Sequence, residues 1–371
     1  MSTILEYETV ALDDEKKELV IIDQTKLPNE TVLLRLRELE EYYNAIYLLQ
    51  VRGAPAIGVF AAYGIYLATE KIAETVLNSP ESTDSERDFD LLYDKFAKAK
   101  EYLNSARPTA VNLSWALSRM EKTLLASRGK EISEILSELK NEADAIKNED
   151  IEACRSMGEN ALTLLKPGYG LLTHCNAGRL ATCRYGTATS AMYLGHERGY
   201  GFKIYCDETR PLLQGARLTA FELSLAGMDV TLACDNMVAS LMSGGKIDAV
   251  LVGCDRVAAN GDAANKIGTS VVATVAKHYN IPFYVVGPMS TIDFSIKSGA
   301  DIPIEMRKDT EVTEMWYEKP MAPSAVKVYN PAFDVTDHSL ITAIITEKGI
   351  AYPDKDNPRE GFTKSLKQLI S

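Results

Sequence analysis

The sequence has six cysteines, at positions 154, 175, 183, 206, 234 and 254, but no C-x-x-C pair. Without that spacing neither a zinc site nor a disulfide framework has support, and Cys206, Cys234 and Cys254 fall in or at the end of strand-like apolar runs, as reduced core thiols would. The four histidines, at 174, 196, 278 and 338, show no metal-ligand spacing. Both G-x-G-x-x-G and the P-loop pattern are missing, so neither a dinucleotide nor a nucleoside triphosphate is indicated. Positive charge is in deficit: 40 Lys+Arg against 52 Asp+Glu give a formal charge of −12, which opposes non-specific binding to nucleic acid or anionic membranes. No apolar run approaches the ~20 residues of a membrane span. The first residues, Met1 to Glu6, are too acidic and too poor in apolar side chains for a signal peptide. These absences predict a soluble, cytoplasmic protein with no nucleic-acid or membrane partner; no internal repeat or low-complexity tract stands against it.

What is present suggests two domains, since 371 residues exceed one ordinary domain. Residues 1–148 read as a smaller, mainly helical domain with a small sheet, and 149–371 as a Rossmann-like α/β domain. In the first part a strand at 19–22 precedes a helix around 35–41. The turn Arg52-Gly53-Ala54-Pro55 opens a helix over 59–68, residues 78–88 form a polar exposed loop, a helix spans 89–105, another begins at Pro108, and one or two long helices fill 116–165. In the second part apolar strands recur at 171–174, 203–206, 229–234, 249–253 and 283–286, separated by helical stretches. That alternation, with strands apolar throughout, predicts a parallel sheet covered on both faces. Residues 340–350 read as a helix capped by Gly349.

Two strand ends carry candidate chemistry: Cys175 in Thr173-His174-Cys175-Asn176-Ala177-Gly178, and Asp255 after Gly253-Cys254. Ligands of open α/β sheets bind outside the carboxyl ends of the strands. Oriented amides after the strand, with a helix start near Leu180, would lower the thiol's pKa; a buried inert cysteine is the competing reading. His174 points to the opposite face and reads as structural. Asp255 is either a general acid or base, with Arg256 holding it ionised, or a plain loop carboxylate. Asp207 and Glu208 share that ambiguity, with the added role of holding Arg210. Arg52 and Arg107 sit at helix starts and are candidate anion ligands, or else tight-turn arginines. Gln214 lies at a glycine helix start, and Asn265 and Lys266 at the N-terminus of the next helix. The residues alone support a two-domain α/β enzyme acting on a small anionic compound.

Taken together, Arg52 to Gly58, Arg107 to Leu113, Thr173 to Gly178 with Leu180-Ala181-Thr182, Asp207 to Pro211 with Gln214 to Ala220, and Gly253 to Asp262 with Ala264 to Gly268 closely resemble the methylthioribose-1-phosphate isomerase family, of the initiation factor 2B alpha/beta/delta-like superfamily. The resemblance runs from about residue 20 to about 350. It implies an aldose–ketose isomerase of methionine salvage, a homodimer acting on a sugar 1-phosphate without metal or organic cofactor. Carried over position by position, it places catalysis on Cys175 and Asp255, and substrate binding on Arg52, Gly53, Ala54, Arg107, Gln214, Asn265 and Lys266. Two departures, Asp337 where the family usually has proline and the insertion at 78–88, leave those positions intact. The rival readings are an isomerase of 5-deoxyribose 1-phosphate or ribose 1,5-bisphosphate, and a non-catalytic regulatory protein of the same fold.

Overall fold

The computed structural model describes residues 8–82, 84–108 and 110–370. The chain forms two compact units, Met1–Glu152 with Leu180–Arg184, and Ala153–Arg179 with Tyr185–Ser371. A five-residue piece of the second half, just beyond Cys175, thus belongs to the first unit. No local sequence signal marks such an exchange.

The first unit starts with an antiparallel sheet in the order β1 (Val10–Asp13), β2 (Glu18–Ile22), β3 (Leu33–Leu36), followed by α1 (Leu39–Tyr47), α2 (Ala54–Leu77), α3 (Ser85–Ser105), α4 (Val111–Ala126) and α5 (Ile132–Leu162), whose last residues enter the second unit. Residues 35–41 are therefore not one helix. Arg35 and Arg37 instead pair with Glu18, 3% exposed on the facing strand, and this cross-strand pairing holds them extended until Leu39. The polar loop ends earlier than expected, because the Asp84 carboxylate accepts from the Glu86 and Arg87 amides and starts α3 at Ser85. α2 extends well beyond 59–68 at both ends. It is long and apolar enough to cross a membrane, contrary to the reading that no stretch is, but 83% of its apolar window is buried within the protein. It is a core helix: Gly58 lies against Asn112 of α4 and Gly64 against the Tyr42 ring, while Ile57, Phe60 and Ile65 are sealed off. Each such side chain contributes about 1.5–3 kcal/mol on burial.

The second unit is built on a seven-stranded sheet of β4 (Gly170–Thr173), β5 (Lys203–Asp207), β6 (Asp229–Ala233), β7 (Ala249–Val252), β10 (Phe283–Val286), β13 (Ala343–Thr346) and β14 (Gly349–Ala351). The spatial order is β14-β13-β10-β7-β4-β5-β6, parallel from β13 to β6. A second sheet, ordered β11-β8-β9-β12, contains β8 (Arg256–Ala258), β9 (Ala263–Lys266), β11 (Ile292–Asp293) and β12 (Phe333–Thr336). Helices α6 (Ser190–Glu197), α7 (Ala220–Leu225), α8 (Val238–Ser243) and α9 (Thr269–His278) lie between the strands, and α10 (Thr310–Thr313) and α11 (Thr363–Gln368) follow. Buried Leu171, Ile204, Leu251 and Val286 pack in one apolar cluster, and Leu172, Val250, Val252 and Val285 in another. Alternate residues of the same strands feed the two clusters, the signature of a sheet covered on both faces.

The expected helix over 340–350 is a hairpin. Ala343 to Thr346 pairs with β10, and Gly349, at φ 139°, begins the antiparallel β14. A short apolar run cannot reveal its period, and the β-branched Ile344-Ile345-Thr346 found an open strand edge.

Asp262 ties three loops of this unit together. Its Oδ1 accepts from the His338 backbone N–H at 2.8 Å and lies 2.7 Å from His338 Nδ1; its Oδ2 accepts from the Gly299 N–H at 2.9 Å and from Asn260 at 2.8 Å. Burial pushes the Asp262 carboxyl up, but those hydrogen bonds outweigh it and hold it below the usual range. Burial likewise lowers the His338 imidazole, and the bond to Asp262 reverses this and raises it. The carboxylate therefore adds stability above its ordinary pKa and loses it as the pH falls. The imidazole adds stability below about 6.5 and loses it as the pH rises through its raised value. Accordingly, the advantage of the wild type over His338→Ala in urea midpoint should shrink between about pH 5.5 and about pH 9, bracketing that window. A constant difference across the range would show that the pair does not titrate with folding.

Candidate active site

The chain leaves β4 for β5 and β6 on one side, then returns to place β7 on the other side of β4. Beside β4 and β7 the strand order reverses, and at such a switch point the crevice outside the carboxyl ends of the strands is open to a ligand. Those two strands are paired through Leu171–Ala249 and Leu172–Val250, and Cys175 and Asp255 lie in the loops just beyond their carboxyl ends.

Cys175 is 9% exposed and sits at φ 65°, in the left-handed region that costs a non-glycine residue of order 1 kcal/mol or more. Hydrogen bonds on both sides hold it there. Its N–H donates to Thr209 Oγ1 at 2.8 Å, and Thr219 Oγ1 donates to its carbonyl at 2.6 Å. The next residue is fixed as firmly: Asn176 Nδ2 donates to the buried Glu222 carboxylate at 2.7 Å and reaches Thr219 Oγ1 at 3.0 Å. Gly178 is required because a Cβ there would lie 1.7 Å from Glu222 Oε1. No local sequence signal marks Thr209, Thr219 and Glu222 as supports of this loop. The helix expected near Leu180 is one short turn, Arg179–Ala181.

Asp255 is exposed, and its N–H donates to the Ala264 carbonyl at 2.9 Å, which joins the end of β7 to β9. Arg256 reaches Asp293 at 3.5 Å. The neighbouring Cys254 faces Thr291 Oγ1 at 3.4 Å, and burial pushes its thiol up to about 12, so it is no thiolate at neutral pH. Burial also holds the Cys183 and Cys206 thiols protonated.

The remaining candidates divide between the two units. Gln214 is 7% exposed and precedes a π-helical turn, Gly215–Thr219, that leads into α7; its Oε1 is buried without a hydrogen-bond partner among the described residues. A polar atom left so is costly unless a ligand completes it. Asn265 and Lys266 lie in strand β9, not at a helix N-terminus. Asn265 Nδ2 donates to Thr269 at 3.0 Å, and Lys266 Nζ stands 4.4 Å from the centre of the Phe333 ring. The start of α9 is already taken, since Asp334 accepts from the Gly268 N–H at 2.8 Å, the Ser270 N–H at 3.2 Å and the Ser270 hydroxyl at 2.8 Å. A carboxylate in that place serves the helix as a phosphate would, so Asp334→Ala should cost about 1–2 kcal/mol of stability in urea unfolding. An unchanged midpoint would refute the cap.

Arg52, Gly53, Ala54 and Arg107 belong to the first unit. Gly53 precedes α2 at φ 90°, and a Cβ on it would lie 2.4 Å from Ala181, in the exchanged segment. Only glycine permits that approach. Gln24 anchors the same segment by donating to the Leu180 carbonyl at 2.7 Å. Arg107 is half-buried, and its carbonyl accepts from the Ala110 N–H ahead of α4. Neither Asp207 nor Glu208 holds Arg210: Asp235 accepts from the Arg210 backbone N–H at 2.7 Å, and the guanidinium donates to the Val312 carbonyl at 2.7 Å. Asp207 pairs with His174.

A parallel sheet whose strand order reverses beside a cysteine and a carboxylate is an α/β fold with a ligand-binding crevice, and the chain belongs to the initiation factor 2 subunit family, whose pattern matches residues 50–353. Within that family it is an isomerase. It is 60% identical over 365 residues, 98% of this chain and 96% of the relative, to a protein of Symbiobacterium thermophilum named methylthioribose-1-phosphate isomerase. A Clostridium botulinum relative named 5-deoxyribose 1-phosphate isomerase is 54% identical across 95% of this chain and 97% of its own length. The crystal structure of 5-methylthioribose 1-phosphate isomerase from Pyrococcus horikoshii OT3 superposes with a TM-score of 0.88 at 42% identity, covering 98% of this chain and 95% of that one.

Proposed function

We propose that this isomerase converts 5-methylthioribose 1-phosphate to 5-methylthioribulose 1-phosphate in methionine salvage, with Cys175 and Asp255 as its acid and base. The observation that carries the assignment is their shared position at the carboxyl ends of adjacent strands β4 and β7, where the strand order reverses. The substrate follows from the 60%-identical relative's name.

The phosphate on O1 of such a sugar blocks ring opening by simple hemiacetal reversal. The C1–O4 bond must break with a proton delivered to O4. The hydrogen on C2 must move to C1, and O2 must lose its proton to become the ketone. In the hydride route the C2 hydrogen shifts directly, one group protonating O4 and one deprotonating O2. In the enolate route a base removes the C2 proton, a cis-phosphoenolate forms, and C1 is then protonated. Either route is balanced without a redox partner. Asp255 handles the ring-oxygen or O2 proton, and Cys175 acts at C2. Arg52, Gly53, Ala54, Arg107, Gln214, Asn265 and Lys266 bind the substrate, the arginines by charge-assisted hydrogen bonds to phosphate.

The reading extends to a cytoplasmic homodimer. β6 is an edge of the large sheet and leaves Leu232 52% exposed, a surface a second copy would cover. Light scattering should give twice the 40.8 kDa chain mass; a monomer would remove the dimer.

A second substrate has support in the relative named for 5-deoxyribose 1-phosphate, because a pocket that holds a methylthio group also admits a methyl. The deciding assay compares kcat/KM for the methylthio sugar, 5-deoxyribose 1-phosphate and ribose 1,5-bisphosphate. A preference of about tenfold for the methylthio sugar is expected, since one or two apolar atoms carry about 1–3 kcal/mol of discrimination. A preference for either of the others overturns the substrate assignment.

A further inference from the structure

The acid–base chemistry makes no use of the histidine beside Cys175. Yet His174 is 1% exposed and makes three specific contacts. Nδ1 lies 3.1 Å from Oδ2 of Asp207, the last residue of the neighbouring strand β5. Nε2 lies 2.9 Å from the carbonyl of Ile267, the residue directly after Lys266. Gly268 packs on the ring: at φ 103°, a Cβ there would sit 2.8 Å from Cε1.

A carbonyl oxygen only accepts, so Nε2 carries a hydrogen, and Nδ1 shares one proton with Asp207. Burial pushes the Asp207 carboxyl up. Burial opposes charge on His174 as well, and the bond to Asp207 outweighs it and raises the imidazole. Both directions keep the shared proton in place. The other Asp207 oxygen is buried without a hydrogen-bond partner among the described residues, so among them the histidine is what satisfies this carboxyl.

We propose that His174 is a positioning residue for Lys266: by donating Nε2–H to the Ile267 carbonyl, it fixes the end of β9 to the tip of β4, one residue from Cys175. Asp207 holds the ring at the angle this bond requires. The inference rests on the reading of Lys266 as a substrate ligand.

Two conservative substitutions separate this role from mere packing. The amide nitrogen of glutamine falls near the Nε2 position and that of asparagine near Nδ1. His174→Gln therefore keeps the donor to Ile267, and His174→Asn keeps only the contact with Asp207. His174→Asn should raise KM by about 10- to 100-fold, the range for misplacing a binding group by around an ångström, and His174→Gln should restore most of it. The double variant His174→Asn/Lys266→Ala should have a KM no higher than Lys266→Ala alone, because residues acting through one contact are not additive. Gly268→Ala, which pushes the same turn off the ring and leaves Asp207 alone, should reproduce the rise should His174→Asn fail to fold. Equal KM values in the Asn and Gln variants, additive effects in the double variant, or an unchanged KM in Gly268→Ala would each overturn the positioning role. If Lys266→Ala itself leaves KM unchanged, the substrate reading of Lys266 falls, and this proposal with it. An elevated KM in Lys266→Ala beside an unchanged one in His174→Asn refutes the positioning alone.

Discussion

Cys175→Ala is expected to lower kcat by about 10²-fold or more, the contribution of a positioned acid or base, while the protein stays folded. Folding survives because the loop is held by backbone contacts, the Cys175 N–H to Thr209 and its carbonyl from Thr219, which alanine keeps. The left-handed φ of 65° burdens alanine as it burdens cysteine. Cys254→Ala is the control. It immediately precedes the other candidate, Asp255, yet burial holds its thiol at about 12, and kcat should be unaffected. Near-full activity in Cys175→Ala, with an unchanged urea midpoint, would return Cys175 to the status of a small core residue. Turnover in heavy water then separates the routes: deuterium appearing at C1 of the ketose supports the enolate, and its complete absence favours the direct shift.

Asp255→Asn should lower kcat by about 10²- to 10⁴-fold at constant stability. The side chain is exposed, and the backbone N–H bond to Ala264 is one the amide keeps. Asparagine can still donate a hydrogen bond but cannot accept or deliver a proton at neutral pH. A fall in KM affinity with kcat intact would make Asp255 a binding residue and leave Cys175 without its partner.

Much of the α/β unit was legible because its strands are local and strongly marked. Leu171, Val250 and Val285 lie in short apolar runs that end in Cys, Asp or Gly, and runs buried on both faces need no periodicity to be noticed. The candidate site was legible to the same extent: Cys175 and Asp255 stand out as polar residues at the ends of such runs. Errors arose where local pattern and tertiary partner disagree. Residues 340–350 look like a capped helix until β10 offers an edge, and 35–37 look helical until Glu18 draws the two arginines across the sheet. In the sequence the N-terminus of α9 reads as open to phosphate because Asp334, its occupant, lies 64 residues downstream of Ser270.

By itself the sequence determined the class of the fold and the two strand ends proposed to carry the chemistry, since each is written within a dozen consecutive residues. Only the tertiary structure decided that β4 and β7 are neighbours, for strand order depends on crossovers that no local signal specifies. It also decided what surrounds them. The bonds that set Cys175 at its left-handed φ come from residues 34 and 44 positions away, and the His174 ring is fixed by Asp207 and Ile267, 33 and 93 positions away. Contacts at such separations exist only once the chain has closed on itself, and they set the geometry of the candidate site.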